Sequence, residues 1–82
     1  MAKESQRYWL TFPVERARQP LIWELSKKFD LIFNIRSAKI TDEVGIVALE
    51  LNGRRKAMQA AVKWLRKKGI EVDPIELDVI ES

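Results

Sequence analysis

The chain has 82 residues and a formal net charge of +3, a length that suits one small domain. It contains no cysteine and no histidine, which excludes disulfides, thiolate and imidazole metal ligands, and catalysis by either side chain. The carboxylates form no recognisable acid–base pair. We therefore expect a non-enzymatic domain over residues 1–82, with its core at about 6–80, that needs no cofactor and no metal.

The first part of the chain alternates between strand and helix patterns. Apolar and polar side chains alternate with the period of a strand in three segments, which predicts strands over Gln6 to Phe12, Asp30 to Ile40 and Val44 to Leu51. Between the first two strands, apolar residues recur on one helical face, which predicts a helix over Pro20 to Phe29. The short polar turn at Thr41-Asp42-Glu43 makes the last two strands an antiparallel hairpin.

The remainder of the chain predicts a second helix and a last strand. The helical stripe comprises Met58, Ala61, Val62 and Leu65. We expect Asn52-Gly53 to form the loop that leads into this helix, and Gly69 to end it in a left-handed conformation. The last strand runs from Ile70 to Ile80. Because Pro74 lacks an N–H donor, this strand is predicted at a sheet edge with a break or bulge.

The order of the elements predicts an α+β fold. A β-α-β-β-α-β sequence favours a ferredoxin-like βαββαβ sandwich, with a four-stranded antiparallel sheet in the order 4-1-3-2 and two helices on one face. The opposite face is then uncovered, and strand alternation places on it Trp9, Thr11, Ile32, Asn34, Ile46 and Ala48. All of these except Asn34 are expected to contact a second copy of the chain, because such an apolar layer should not face water.

Two polar residues of the second strand are candidates for ligand contacts. The amide of Asn34 offers two donors and an acceptor, enough to hold a small polar ligand or a backbone edge. Alternatively, Asn34 has a structural role, and its side-chain amide forms hydrogen bonds with a neighbouring strand or with solvent. Arg36 lies two positions further on the same face, where it either pairs with a carboxylate or is a solvated strand end.

Charge is distributed unevenly towards the C-terminus. Residues 54–68 include seven basic residues and no acidic one, whereas residues 71–81 include five acidic residues and no basic one. The basic block is typical of a nucleic-acid patch or of a helix end whose cations complement the dipole. The acidic neighbour favours the second interpretation, and the third strand lacks the aromatic side chains on which RNA bases stack. We therefore expect no nucleic-acid partner.

The sequence predicts no membrane partner. It lacks both the ~20 consecutive apolar residues of a spanning helix and the apolar core of a signal peptide. We expect a cytoplasmic protein.

Several segments together resemble the NIL domain family, which is named for an Asn-Ile-Leu triplet on the second strand. The corresponding residues are Asn34-Ile35-Arg36, and the segments Val44 to Gly53 and Ala60 to Val72 are similar to the family's third strand and to its last helix and strand. The resemblance implies a ferredoxin-like fold that pairs through its sheet, as in amino-acid-sensing ACT domains. Well-known members lie at the C-terminus of the ATPase subunit of bacterial methionine importers, where they bind methionine and inhibit transport; others are attached to iron–sulfur ferredoxin modules.

The resemblance implies a regulatory, ligand-binding homodimer that senses a methionine-like amino acid, with ligand contacts at Asn34, Ile35 and Arg36. Arg36 replaces the family's leucine, which argues against a purely apolar pocket. The chain has neither a phosphate-binding Gly-x-x-x-x-Gly-Lys-Ser/Thr loop nor a cysteine cluster, so the regulated machine is expected on a separate chain. The alternative is an interaction module that docks a protein partner through the open sheet face or an edge.

Overall fold

Strands and helices alternate in the predicted β-α-β-β-α-β order. A computed structural model describes residues 4–13, 15 and 19–75. The strands are β1 (Glu4–Pro13), β2 (Ile32–Ile40), β3 (Val44–Gly53) and β4 (Glu71–Ile75), and the helices are α1 (Leu21–Lys28) and α2 (Arg55–Lys67). Neither of these helices is long and apolar enough to cross a membrane.

The four strands form one antiparallel sheet in the order β2-β3-β1-β4. Read from the other edge, this is the predicted 4-1-3-2 order, so the ferredoxin-like α+β fold is confirmed. The central pair, β1 and β3, is aligned over its whole length from Glu4 opposite Gly53 to Pro13 opposite Val44. β4 lies at an edge, as the proline in this strand predicted.

The core lies between the sheet and the helices. Leu10 of β1 and Leu49 and Leu51 of β3 have no exposed surface. The helical stripes close over them with the buried side chains of Leu21, Leu25, Met58, Ala61 and Leu65. Full burial of one large aliphatic side chain contributes roughly 1.5–3 kcal/mol, so this layer is the main source of stability and fixes which sheet face remains open.

The end of β3 differs from the prediction. Asn52 and Gly53 pair with Ser5 and Glu4 as part of the strand, so the predicted loop is wrong. A Cβ on Gly53 would lie 2.6 Å from Cδ2 of Leu31, closer than real contacts allow. Glycine at this position therefore permits the close approach of the segment that leads into β2.

The irregularity expected in β4 occurs in β2 instead. Pairing of β4 with β1 continues through Pro74, opposite Tyr8, to Ile75 without a register shift. The predicted break at Pro74 is therefore wrong, because an edge strand has a side on which no ladder donor is needed. The register shift lies in β2 between Ile35 and Ser37, and residues 76–80 of the predicted last strand lie outside the described residues.

The end of α2 follows the prediction. Gly69 has a φ of 88°, the left-handed conformation that glycine adopts without steric cost. The backbone N–H of Ile70 donates to the carbonyl oxygen of Leu65 at 3.1 Å, and that of Gly69 donates to Arg66 at 3.0 Å. These bonds satisfy carbonyl groups at the helix end, and the predicted stop at Gly69 is confirmed.

Candidate functional site on the open face

The strand register aligns the open-face side chains in rows that cross the sheet. We define three rows, each given from β2 through β3 and β1 to β4. The polar row is Asn34, Glu50, Arg7 and Ile75; the central row is Ser37, Ala48, Trp9 and Asp73; the outer row is Lys39, Ile46, Thr11 and Glu71. Residues far apart in the chain are thus neighbours on one surface.

Glu50 is the centre of a charged cluster in the polar row. Its side chain is 15% exposed, and its Oε1 lies 3.2 Å from Nη1 of Arg36 and 3.7 Å from Nε of Arg7. The hydroxyl of Ser5 donates to its Oε2 at 3.1 Å. One carboxylate is thereby shared by two guanidinium groups, which leaves the cluster with an excess positive charge.

The bulge in β2 divides the residues of the triplet between the two faces of the sheet. Ile35 is aligned with the core residue Leu49, so its position belongs to the helix-covered face. Asn34 is aligned with Glu50, and the side chain of Arg36 reaches the same carboxylate. The structure therefore brings two of the three predicted ligand-contact residues together and places Ile35 on the other face, exposed to solvent.

Two side-chain groups of the polar row lack a hydrogen-bond partner among the described residues. Within residues 4–13 and 19–75, the exposed side-chain amide of Asn34 makes no hydrogen bond to another residue. The Nε of Arg7 is buried from solvent and has no hydrogen-bond partner in the same part of the chain. An unsatisfied buried donor costs about 1–3 kcal/mol. The amide of Asn34 is thus the donor of the two that a ligand or partner can reach, because it lies at the surface.

The remaining predicted contact residues form the apolar part of the open face. Trp9, Ile32 and Ile46 are 42%, 63% and 36% exposed, respectively. Thr11 is half-buried. Ala48 is only 6% exposed, so its small side chain contributes little to the surface of the open face. The role of these side chains in pairing stays a prediction.

An apolar cavity on the helix-covered face was not predicted. It has a volume of about 180 Å³ and lies between the start of α1 and the sheet, lined by Phe12, Gln19, Pro20, Leu21, Ile22, Trp23, Ile40 and Val47. No charged residue lines it. Trp23 is exposed, and the centre of its ring lies 5.0 Å from Nζ of Lys27. A large aromatic residue on the solvent side of a helix is unusual, so the position of Trp23 in the sequence is a signal for this cavity.

No group of three or more acidic side chains positioned to hold a metal ion occurs among the described residues. Burial raises the pKa of the Tyr8 phenol above its usual 10.0, while Arg66 opposes this effect and Glu4 adds to it. Tyr8 lines the groove between α2 and β4, away from the open face. The cluster around Glu50 is thus suited to binding charged and polar groups.

Comparison with known proteins identifies similar chains. The family model described as NIL domain matches residues 6–74. The methionine import ATP-binding protein MetN of Streptomyces avermitilis is 31% identical over 77 residues, which covers 89% of this chain. The crystal structure of the C-terminal domain of an ABC transporter/ATP-binding protein from Enterococcus faecalis has a TM-score of 0.77 at 23% identity, covering 89% of this chain and 86% of that chain.

These similarities differ in extent. The chain spans 22% of the length of the Streptomyces protein, so the match concerns one part of that relative. The Enterococcus domain is similar over nearly its whole length, and at its level of identity the likeness concerns the fold.

Proposed function

Because the chain belongs to the NIL domain family, we propose that it is a non-catalytic regulatory module that binds a small amino-acid ligand and acts as a homodimer. The observation that carries the proposal is the similarity over most of the chain to a protein named for methionine import. A regulatory domain of an importer would bind the imported amino acid or a close analogue. The machine it regulates would then be a transporter ATPase.

The charged cluster supports an amino acid as the ligand class. A free amino acid carries a carboxylate and an ammonium group, which suit a guanidinium and a carboxylate, respectively. Arg36 and Glu50 provide these groups 3.2 Å apart. The amide of Asn34, aligned with Glu50, would donate to the ligand carboxylate, and exposed Ile32 would meet its side chain.

Binding is tested by isothermal titration and by thermal unfolding with methionine and each other standard amino acid. At a ligand concentration of 100 times Kd, the free energy of unfolding should rise by about 2.7 kcal/mol. Asn34→Ala should abolish the rise, whereas the matched variant Trp23→Ala, which alters the cavity on the other face, should keep it. No heat and no thermal shift with any amino acid would reject ligand sensing.

A second candidate function is supported by the exposed edge of the sheet. β2 is an edge strand, and its residues Ile32, Ile35 and Ile40 are exposed. An apolar edge strand can accept a strand from another protein. Affinity capture that yields one stoichiometric partner, lost in an Ile35→Lys variant, would favour this docking function over ligand sensing.

A further inference from the structure

Strand β1 extends beyond its neighbour β4 at one end. It pairs with β3 over its whole length, Glu4–Pro13, but its pairing with β4 begins only at Arg7. Among residues 4–13 and 19–75, no strand therefore lies against the β4 side of Glu4, Ser5 and Gln6. We call these three residues the free edge of β1. Such an edge presents unpaired N–H and C=O groups that can bind a further stretch of strand.

The chain leaves β4 towards this free edge. β4 runs antiparallel to β1, and Ile75 lies at the end of β4 next to the free edge. Continued in the same register, residues 76–78 would lie opposite Gln6, Ser5 and Glu4, in that order. Three more residues of strand would thereby supply hydrogen-bond partners to the free edge without any change in the direction of the chain.

Side-chain alternation decides which residues of that segment would face α2. Glu4 and Tyr8 of β1 both lie on the helix-covered face. The carboxylate of Glu4 is bonded to Arg55 of α2, and Tyr8 lines the groove between α2 and β4. Residues directly opposite each other in neighbouring strands share a face of the sheet. In the continued strand, Glu76 and Asp78 would therefore lie on the helix-covered face, beside the start of α2.

The start of α2 is basic and has no carboxylate of its own. Arg54 precedes the helix, Arg55 and Lys56 begin its first turn, and that turn contains no acidic residue. The helix dipole favours negative charge at this position and opposes positive charge. Within the described part of the chain, the carboxylate that compensates is that of Glu4, whose Oε2 lies 3.0 Å from Nη2 of Arg55. Further negative charge beside this turn would stabilise the helix.

The segment that follows β4 has the complementary charge. Residues 76–82 include three acidic residues and no basic one. The groove between α2 and β4 has a volume of about 290 Å³, and its described lining includes the cations Lys63 and Arg66 but no acidic side chain. Pro74 also lines this groove, so the acidic segment begins at its edge. Charge complementarity of this kind selects a partner and fixes its register.

We infer that residues 76–78 extend β4 along the free edge of β1 and place the carboxylates of Glu76 and Asp78 over the basic first turn of α2. The acidic segment is then a cover, carried by the chain itself, for a cationic surface that attracts phosphates and acidic proteins when it is uncovered. This segment follows residues 6–74, the range that the family model matches. The cover lies on the opposite face of the sheet from Asn34, so the inference is independent of amino-acid binding.

A disulfide tests the pairing directly, because the chain has no native cysteine. Leu77 would lie opposite Ser5, and directly opposed residues have Cα atoms about 4.5–5.5 Å apart, inside the range of about 4.4–6.8 Å that a disulfide spans. The full chain with Ser5→Cys and Leu77→Cys should lose both free thiols on mild oxidation and stay monomeric. The matched control, Ser5→Cys with Val79→Cys, is offset by two residues to about 7–8 Å and should keep its thiols. Equal closure in the two chains, or closure in neither, would overturn the extension of β4.

Neutralising the charges tests the cover over α2. Glu76→Gln with Asp78→Asn removes its two carboxylates from the full chain. The matched control, Asp42→Asn with Glu43→Gln, makes the same change of net charge at exposed positions in the turn between β2 and β3. Immobilised heparin, a polyanion, is the probe. The first variant should elute at a higher salt concentration than the control, because it alone uncovers the cations of α2. Circular dichroism establishes that both variants are folded.

Two elution results would reject the cover. Equal elution of the two variants would show that the carboxylates of Glu76 and Asp78 do not shield α2. Elution of the wild type together with the first variant would show that this surface is open to an acidic protein or a nucleic acid instead of its own segment. Amino-acid binding, measured by titration, should be the same in the wild type and both variants, so a failure of the proposed ligand function would leave this test intact.

Discussion

Arg36 and Glu50 are bonded across the register shift of the sheet, with Nη1 of the arginine 3.2 Å from Oε1 of the glutamate. Arg36 is the extra residue of the β2 bulge, and a bulge redirects the side chain it carries. Without the shift, the side chains beyond Arg36 would exchange faces. The bulge thus determines both the charged cluster and the composition of the rest of the open face.

The charged cluster around Glu50 predicts that neutralising its different residues lowers the free energy of unfolding by unequal amounts. Arg36 is about half exposed, so Arg36→Gln should lower the free energy of unfolding by less than about 1 kcal/mol. Glu50→Gln should cost more, about 1–3 kcal/mol, because it leaves Arg7 and Arg36 without their shared carboxylate. Urea denaturation at a fixed, low protein concentration measures both. Equal losses in the two variants would contradict the central position of Glu50.

The core predicts a sharp contrast between two aligned residues. Leu49 has no exposed surface, whereas its register neighbour Ile35 is exposed. Leu49→Ala should destabilise the domain by about 2–5 kcal/mol through lost burial and a cavity. Ile35→Ala should cost well under about 1 kcal/mol. Thermal unfolding of the two variants checks this contrast, and a comparable loss for Ile35→Ala would show that it is buried in solution.

The phenol of Tyr8 predicts a loss of stability at high pH. Burial raises its pKa above the usual 10.0 in the folded state, so the unfolded chain releases the proton first. Stability from this group is intact below about pH 10 and falls as the pH rises through the folded-state pKa. The free energy of unfolding should decline more steeply above about pH 10 for the wild type than for Tyr8→Phe. Parallel pH profiles would refute this coupling.

The left-handed conformation at Gly69 predicts that any residue with a side chain at this position lowers the free energy of unfolding. Gly69→Ala places a Cβ on a residue with a φ of 88°, which should lower the free energy of unfolding by about 1 kcal/mol or more. Ala60→Gly in the exposed part of α2 is a useful comparison, since it loses a similar amount through helix propensity alone. Hydrogen exchange should distinguish them: Gly69→Ala should weaken protection of the Ile70 amide in particular.

Much of the fold follows from local patterns. The alternation in β1 and the helical stripe through Met58 and Leu65 identify the elements, because side-chain period depends only on local backbone geometry. The element order then leaves few topologies once crossover handedness is imposed. The same alternation predicts that Asn34 and Arg36 lie on one face. Their roles in ligand binding stay predictions.

The sequence by itself determined the identity and order of the elements and the inward faces of β1, β3 and the two helices, because each depends on residues close together in the chain. The tertiary structure decided the bulge at Arg36, the extension of β3 to Gly53 and the sharing of Glu50 by Arg7 and Arg36. These features arise from the register between strands that are distant in sequence, and register is a property of the pairing and not of either strand alone. The apolar cavity at Trp23 has the same origin, since it forms only where α1 meets the sheet.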